Sequence, residues 1–315
     1  RMEDACQAAV LEMGMSYRGE IARLVEIADP DVGVILNVLR VHLEHFGGLD
    51  GIAEAKGELF AGLRKDAIAA YNADDPRVAR LGRAFPGRSI PFGLKPKGRE
   101  VTAEAIAPLG LAGTRFILKH GKETTPVEIG LAGRHHVYNA LAAAAAGYAC
   151  GLDGEAIAAG LRSVRPAPMR GVLHHRPDGV EILDDAYNSN PVAMERAIDL
   201  LKEARPRGRR ILASGDMLEL GPYASRAHAR LGQQVARAGI DLLVAVGPLS
   251  RKTADAARQG GGEAIHFESS EAAAAWIEDA VRPGDLVLVK GSRGMKMERV
   301  VQALLGSASG AAGAH

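Results

Sequence analysis

Three side chains near the amino end have the types needed to hold a hard cation against nucleotide phosphates. They are Glu12 in A-V-L-E-M-G, His42 in V-H-L-E-H-F-G and Lys56 in A-K-G-E-L-F. A carboxylate at the carboxyl end of a parallel strand can hold Mg²⁺, and a histidine and a lysine nearby suit a phosphate-handling site. Each also has an ordinary reading: a solvated acid, a capping or surface histidine (His45 among them), a lysine on the wet face of a helix. The loop G-x-x-x-x-G-K-[ST], whose backbone donors and lysine grip nucleotide phosphates, occurs nowhere in the 315 residues.

A second group of motifs points the same way. G-R-H-H-V-Y-N-A-L, from Gly133, reads as a turn into a helix start, which can present backbone N–H groups to a nucleotide. Asn139 lies one turn in and carries an amide that both donates and accepts, as an adenine edge requires. In I-L-D-D-A-Y-N-S-N-P a strand closes and a helix opens at Pro191, a favoured first-turn position. The paired acids there could accept hydrogen bonds from ribose hydroxyls. S-G-D-M-L-E-L-G (214–221) and V-K-G-S-R-G (289–294) end two further strands with small, glycine and polar residues. Three strand ends of that kind on one edge are more specific than any one of them.

These motifs need elements to carry them. The first half predicts short strands at 8–13, 32–38 and 67–72, with helices at 17–28 and 51–63 between them. From 88 to 129 the pattern turns to alternating strand-like pieces (114–119, 125–129), a small antiparallel addition, and helices follow at 137–150 and 154–164. R-P-A-P-M-R-G (165–171) breaks the pattern with two prolines and reads as a linker. Beyond it, strands at 180–185, 210–214, 242–246, 264–267 and 286–290 alternate with helices at 191–204, 224–238, 250–259, 270–281 and 295–305. That alternation implies a doubly wound parallel sheet with ligands at the carboxyl ends of its strands. The expected division is one domain over 1–165, a second over 166–306, and a disordered tail over 307–315.

Composition bounds the partners. The chain is 47% hydrophobic and 24% charged, ordinary for a protein with real cores, and its net charge of +1 gives no reason to expect nucleic acid or a charged membrane. No apolar run reaches the ~18 residues of a spanning helix, and no secretory signal opens the sequence, so a cytoplasmic location without membrane insertion is expected. Cys6 and Cys150 lack metal or C-x-x-C spacing and read as buried or incidental thiols. The abrupt start on Arg1 reads as that of a piece of something longer.

Taken in order, E-M-G, H-L-E-H-F-G, A-K-G-E-L-F, G-R-H-H-V-Y-N-A-L-A-A, D-D-A-Y-N-S-N-P, G-D-M-L-E-L-G and V-K-G-S-R-G resemble the Mur ligases, ATP-dependent amide-forming enzymes of peptidoglycan precursor synthesis. D-D-A-Y-N-S-N-P followed by G-D-M-L-E-L-G sets apart the branch that adds D-alanyl-D-alanine. The resemblance implies an α/β fold: a truncated P-loop-type central ATPase domain with a parallel sheet, then a C-terminal Rossmann-like doubly wound domain. The family's UDP-sugar domain and its P-loop have no counterpart in the chain. ATP and Mg²⁺ are the implied cofactors, UDP-N-acetylmuramoyl-tripeptide and D-alanyl-D-alanine the implied substrates, and a monomer is expected.

By resemblance, Glu12 and His42 hold Mg²⁺, and Lys56, with His42, serves catalysis at the family's often carbamylated lysine. Asn139 contacts adenine, with His135 and Asn37 also on the nucleotide side. Asp185 binds ribose, and Arg170 reaches the nucleotide when the domains close. Asn188, Asn190 and Ser292 face the incoming dipeptide. The family's G-x-H-N becomes G-R-H-H here, with His136 in the asparagine position. Without the P-loop, weak ATP binding and no turnover are expected of these residues alone. Two other readings stand beside this one, a non-catalytic nucleotide- or dipeptide-binding module and a ligase of the folate-polyglutamate type, the latter disfavoured by D-D-A-Y-N-S-N-P.

Overall fold

The computed structural model describes residues 6–39, 46–95 and 97–306. The first half runs α1 (Glu20–Ala28), β1 (Val32–Ile35), α2 (Leu49–Gly62), β2 (Ile68–Asn72), α3 (Pro76–Ala84), β3 (Arg88–Phe92), β4 (Val101–Pro108), β5 (Thr114–His120) and β6 (Glu123–Ile129). These six strands form one sheet in chain order. β1, β2 and β3 are parallel, with Val34 opposite Ala70 and Ala70 opposite Ile90. The helices between them supply the crossovers that parallel neighbours require. Gly121 and Lys122 alone join β5 to β6, and Gly121 has φ 59°, so this pair is a tight hairpin. α4 (Arg134–Ala149) and α5 (Gly154–Ser163) follow.

Helix α3 adds to the elements expected from sequence, and its signal is local. Asp75 caps it, accepting from the Arg77 and Val78 amides, and Pro76 takes the first turn. The strand expected at 8–13 does not form: residues 6–15 run as irregular chain, with Val10 and Leu11 exposed. Apolar residues mark a strand only where a neighbour pairs with its backbone, and the sheet order places none on this segment among the described residues. Cys6 and Cys150 are free and exposed, not buried.

The second half runs β7 (Val172–His175), β8 (Glu181–Asp185), α6 (Pro191–Glu203), β9 (Arg210–Gly215), α7 (Ala224–Ala238), β10 (Leu242–Val246), α8 (Arg251–Gln259), β11 (Ala264–Phe267), α9 (Ser270–Ala280), β12 (Leu286–Lys290) and α10 (Glu298–Gly306). Its sheet has the order β11-β10-β9-β12-β8-β7, parallel except for β7 against β8. Successive strand residues feed opposite cores. Leu212, Leu243, Leu286 and Leu288 pack on one face with Met194, Leu201 and Leu231 of the helices. Ile211, Val244, Val287 and Val289 pack on the other with Ile277, Val300 and Leu304. Burial on both faces is why these strands read as unbroken apolar runs.

The described chain is thus mixed α/β with two sheets dominated by parallel pairs. By contacts it divides into two compact units. One takes residues up to 102 with 119–123 and 138–154; the other takes 103–118, 124–137 and everything from 155 on. No helix among the described residues is long and apolar enough to cross a membrane.

Candidate functional site

The richest convergence lies at the carboxyl edge of the second sheet. β12 returns between β8 and β9, so that Lys290 stands opposite Asp185 on one side and Ser214 on the other. This is the switch point of a doubly wound sheet, where the fold leaves room for a ligand. The Lys290 Nζ donates to Asp185 Oδ2 at 2.6 Å and to the Asn188 carbonyl at 2.9 Å. Lys290 is buried while Asp185 keeps about a third of its side-chain exposure (32%), so the lysine holds the carboxylate from below and leaves it open outward. Nothing local in V-K-G-S-R-G marks Lys290; only the strand order makes it Asp185's partner.

The two acids of D-D-A-Y part company, because neighbours on a strand point to opposite faces. Asp184 is buried, accepts from the Ala186 amide at 3.2 Å, and is pushed above the usual carboxylate range chiefly by that burial. Asp185 alone is presented. Asn188 is exposed, its Oδ1 accepting from the Ser189 amide at 2.8 Å. Asn190 caps α6, its Oδ1 accepting from the Ala193 amide at 2.9 Å, so its oxygen is committed to the helix. Ser292 is buried. Its Oγ accepts from the Leu218 amide at 2.9 Å and donates to the Ser189 carbonyl at 3.4 Å, tying together the loops after β8, β9 and β12.

The glycines of G-D-M and K-G-S have a steric cause. A Cβ on Gly215 would lie 2.9 Å from Met297 Cγ, and one on Gly291 would lie 2.6 Å from the same atom. Asp216, buried beside them, accepts from the Leu249 and Ser250 amides at 3.1 and 2.7 Å and anchors the loop after β10. His228 lies 3.8 Å from Asp216, yet its Nε2 accepts from the Met217 amide at 3.0 Å. The ring is therefore neutral, with Nδ1–H donating to the Ala224 carbonyl at 2.8 Å, and the contact is no ion pair.

Arg170 is exposed, with its guanidinium 4.1 Å from the centroid of the Tyr187 ring. Two backbone bonds flank it: Gly171 N–H to the Asp184 carbonyl at 2.8 Å and Tyr187 N–H to the Met169 carbonyl at 3.0 Å. At the start of α4, the His135 and His136 rings lie 4.1 Å apart. Burial, then His136, Arg196 and Lys290, holds His135 down to about 3. His136 is also lowered, first by burial and then by Arg196, with Asp185 opposing. Both are neutral at physiological pH. Asn139, further along α4, is exposed.

The other unit presents fewer of its expected residues. The Lys56 Nζ donates to the Asn37 carbonyl at 3.0 Å, and burial, partly offset by Asp75, pushes its pKa down. A lowered pKa leaves more of the amine uncharged, the form that can react with carbon dioxide. Asp75, not singled out from sequence, ties the chain after β1 to α3 by accepting from the Val38 amide at 2.9 Å. Its neighbour Asp74 collects the Leu94 amide, the Tyr138 hydroxyl and the Arg99 guanidinium, at 2.6, 2.9 and 2.5 Å. Those donors outweigh burial and keep Asp74 below its ordinary value. Glu12 is exposed on irregular chain and not at a strand end. His42 and His45 lie outside the described residues.

Comparison with known proteins fits this architecture. The Mur ligase middle domain matches residues 1–147, and the Mur ligase, glutamate ligase domain matches 169–293. The chain belongs to the Mur ligases. Among its relatives is the UDP-N-acetylmuramoyl-tripeptide--D-alanyl-D-alanine ligase of Bacillus subtilis (strain 168), 34% identical over 97% of this chain and 66% of that protein. The enzyme of the same name from Escherichia coli (strain K12) is 36% identical over 94% and 65%. A crystal structure of MurF from Acinetobacter baumannii superposes with a TM-score of 0.88 at 29% identity, covering 97% of this chain and 66% of that one. MurF ligase from Thermotoga maritima in complex with ADP gives 0.80 at 26% identity, covering 95% and 67%. The chain thus spans 66% and 65% of the length of these two curated relatives.

Proposed function

We propose that these residues are the nucleotide- and dipeptide-handling part of an ATP-dependent ligase that joins D-alanyl-D-alanine to UDP-N-acetylmuramoyl-tripeptide in the cytoplasm. The observation that carries the reading is the edge where β8, β9 and β12 end, with Asp185 held open by Lys290 beside the Asn188 and Ser292 loops. Relatives aligned along nearly the whole chain bear that activity in their names.

In this reading, the tripeptide carboxylate takes the terminal phosphoryl group of ATP, giving an acyl phosphate and ADP. The dipeptide amine then attacks the acyl carbon, phosphate leaves, and the amine proton passes to solvent. Asp185, held by Lys290, is the acceptor for ribose hydroxyls, and by resemblance Asn139 and His135 are the residues for the base. Arg170 is the cation brought to the nucleotide. The Asn188 amide is placed to donate to the dipeptide carboxylate, whereas Asn190 and Ser292 act by holding α6 and the three loops. Asn37 contributes the carbonyl that positions Lys56.

Magnesium would offset charge on the transferring phosphoryl. Among the described residues, no three histidines, cysteines or acids converge as a cation cradle. Glu12 and His42 would be its ligands by resemblance alone.

The 315 residues by themselves are expected to bind ADP weakly and to form no product, because the phosphate-cradling motif is absent from them. A chimera that adds the part of the Bacillus subtilis relative outside the match should form product with D-alanyl-D-alanine and not with glutamate. Product with glutamate only would favour a folate-polyglutamate type of ligase. Nucleotide binding without any product would favour a binding module. Product from the unsupplemented chain at rates near a full-length ligase would overturn the reading of its dependence.

A further inference from the structure

Lys56 and Asp75 grip the same peptide unit from its two ends. The Asn37 carbonyl accepts from Lys56 Nζ at 3.0 Å, and the Val38 N–H, across the same peptide bond, donates to Asp75 Oδ2 at 2.9 Å. A trans peptide points its C=O and N–H to opposite sides. The ammonium therefore lies at the oxygen end of the dipole and the carboxylate at the hydrogen end. Each of the two hydrogen bonds polarises the peptide in favour of the other. Three elements meet there: Lys56 is on α2, the peptide follows β1, and Asp75 opens α3.

The two oxygens of Asp75 have separate uses. Oδ1 accepts from the Arg77 and Val78 amides at 2.9 and 3.2 Å, as the cap of α3, and Oδ2 is left for Val38. A cap needs a single acceptor, which serine or asparagine also supplies. Only the Val38 contact calls for a second oxygen and a full charge. Val38 is buried and Lys56 half-buried, so the peptide passes the carboxylate's field to the amine with little screening by water. Burial lowers the pKa of Lys56 and Asp75 opposes that shift, the sign this arrangement requires.

We propose that Asp75 is a positioning residue for Lys56, acting through the Asn37–Val38 peptide to keep the amine docked and to restrain its reaction with electrophiles. Carbon dioxide is the electrophile that matters for the ligase. The docked ammonium must first give a proton to solvent. The neutral nitrogen then bonds to the carbon of carbon dioxide, one C=O electron pair moves to oxygen, and a second proton leaves the nitrogen. Asp75 disfavours both the loss of the first proton and the anionic carbamate that results. That consequence rests on reading Lys56 as a carbamylated lysine; the restraint itself does not.

The test is competitive labelling of the lysines of this chain with trace acetic anhydride as a function of pH, read peptide by peptide by mass spectrometry. Asp75→Asn and Asp75→Ser both keep a cap on α3 but take the carboxylate from Val38. Each is expected to label Lys56 about fivefold faster at neutral pH and to move its profile to lower pH. Asp66→Asn, a loss of charge at an exposed site paired with Arg64, should leave the profile in place. A rise confined to Lys56 upholds the proposal. An unchanged or slower Lys56, or an equal rise at every lysine, which would mark a loosened fold, overturns it. Labelled bicarbonate followed by nuclear magnetic resonance then tests the carbamate separately. A carbamate signal that is lost in Lys56→Met and stronger in Asp75→Asn upholds the link to carbon dioxide. A labelling response without any carbamate signal keeps the restraint and removes the carbamate reading alone.

Discussion

The edge of the second sheet and the Lys56 region of the first unit are offered by the same family pattern, yet they are built differently. At the edge, each side chain is held by another strand end: Asp185 by Lys290, the β9 loop by Ser292, the β10 loop by Asp216. Around Lys56 the contacts are to backbone, at Asn37 and Val38, and Glu12 stands apart on exposed chain. A parallel sheet buried on both faces fixes the ends of its strands by its own packing. An acid on chain that pairs with no described strand lacks that support. Among the candidate site residues, then, preorganisation is greater at the edge of the second sheet, and sensitivity to mutation should follow it.

The largest effect should come from Lys290→Met. Removing the buried cation leaves Asp185 and the Asn188 carbonyl without their donor, and because Asp185 can rehydrate, the cost is expected at about 2–3 kcal/mol. Urea unfolding followed by circular dichroism measures it. A change under about 0.5 kcal/mol would mean that the edge is not held as described.

A pH comparison sharpens the picture. His135 titrates at about 3 when folded, against ~6.5 in the unfolded chain, so between those values the unfolded state takes up the extra proton. Its contribution is complete above pH 6.5 and is lost as pH falls, by up to about 2 kcal/mol at pH 5. His135→Gln should lose correspondingly less stability between pH 7 and 5. Identical slopes for the two proteins would show that the ring is not kept neutral.

The smallest effect belongs to Glu12→Gln, expected to change stability by less than about 0.5 kcal/mol, as for an exposed side chain with no partner among the described residues. A loss above about 1 kcal/mol would place Glu12 in a packed contact and dissolve the contrast between the two regions.

How much of this could be read beforehand follows the same physics. The five parallel strands after the linker were legible because each is an apolar run bounded by turns and followed by a helix. Asp185, Arg170 and Ser292 are marked as candidates by the motifs they stand in. Lys290's role was not, since a register between distant strands has no local signal. Asp184 and Asp185 could be told apart only once the strand's faces were known. Asp75 could have been found, because Asp-Pro before an apolar period is a helix start. The strand expected around Glu12 failed because apolar composition says nothing about whether a partner strand is present.

The two backbone bonds that flank Arg170 carry a mechanical meaning. They clamp 169–171 to β8 and to the turn after it, with Met169 in the left-handed region at φ 62°, where a methionine stays only if its surroundings insist. Arg170 is thereby a fixture of β8, and a protease that cuts the chain at the prolines before Met169 would leave that arginine in place.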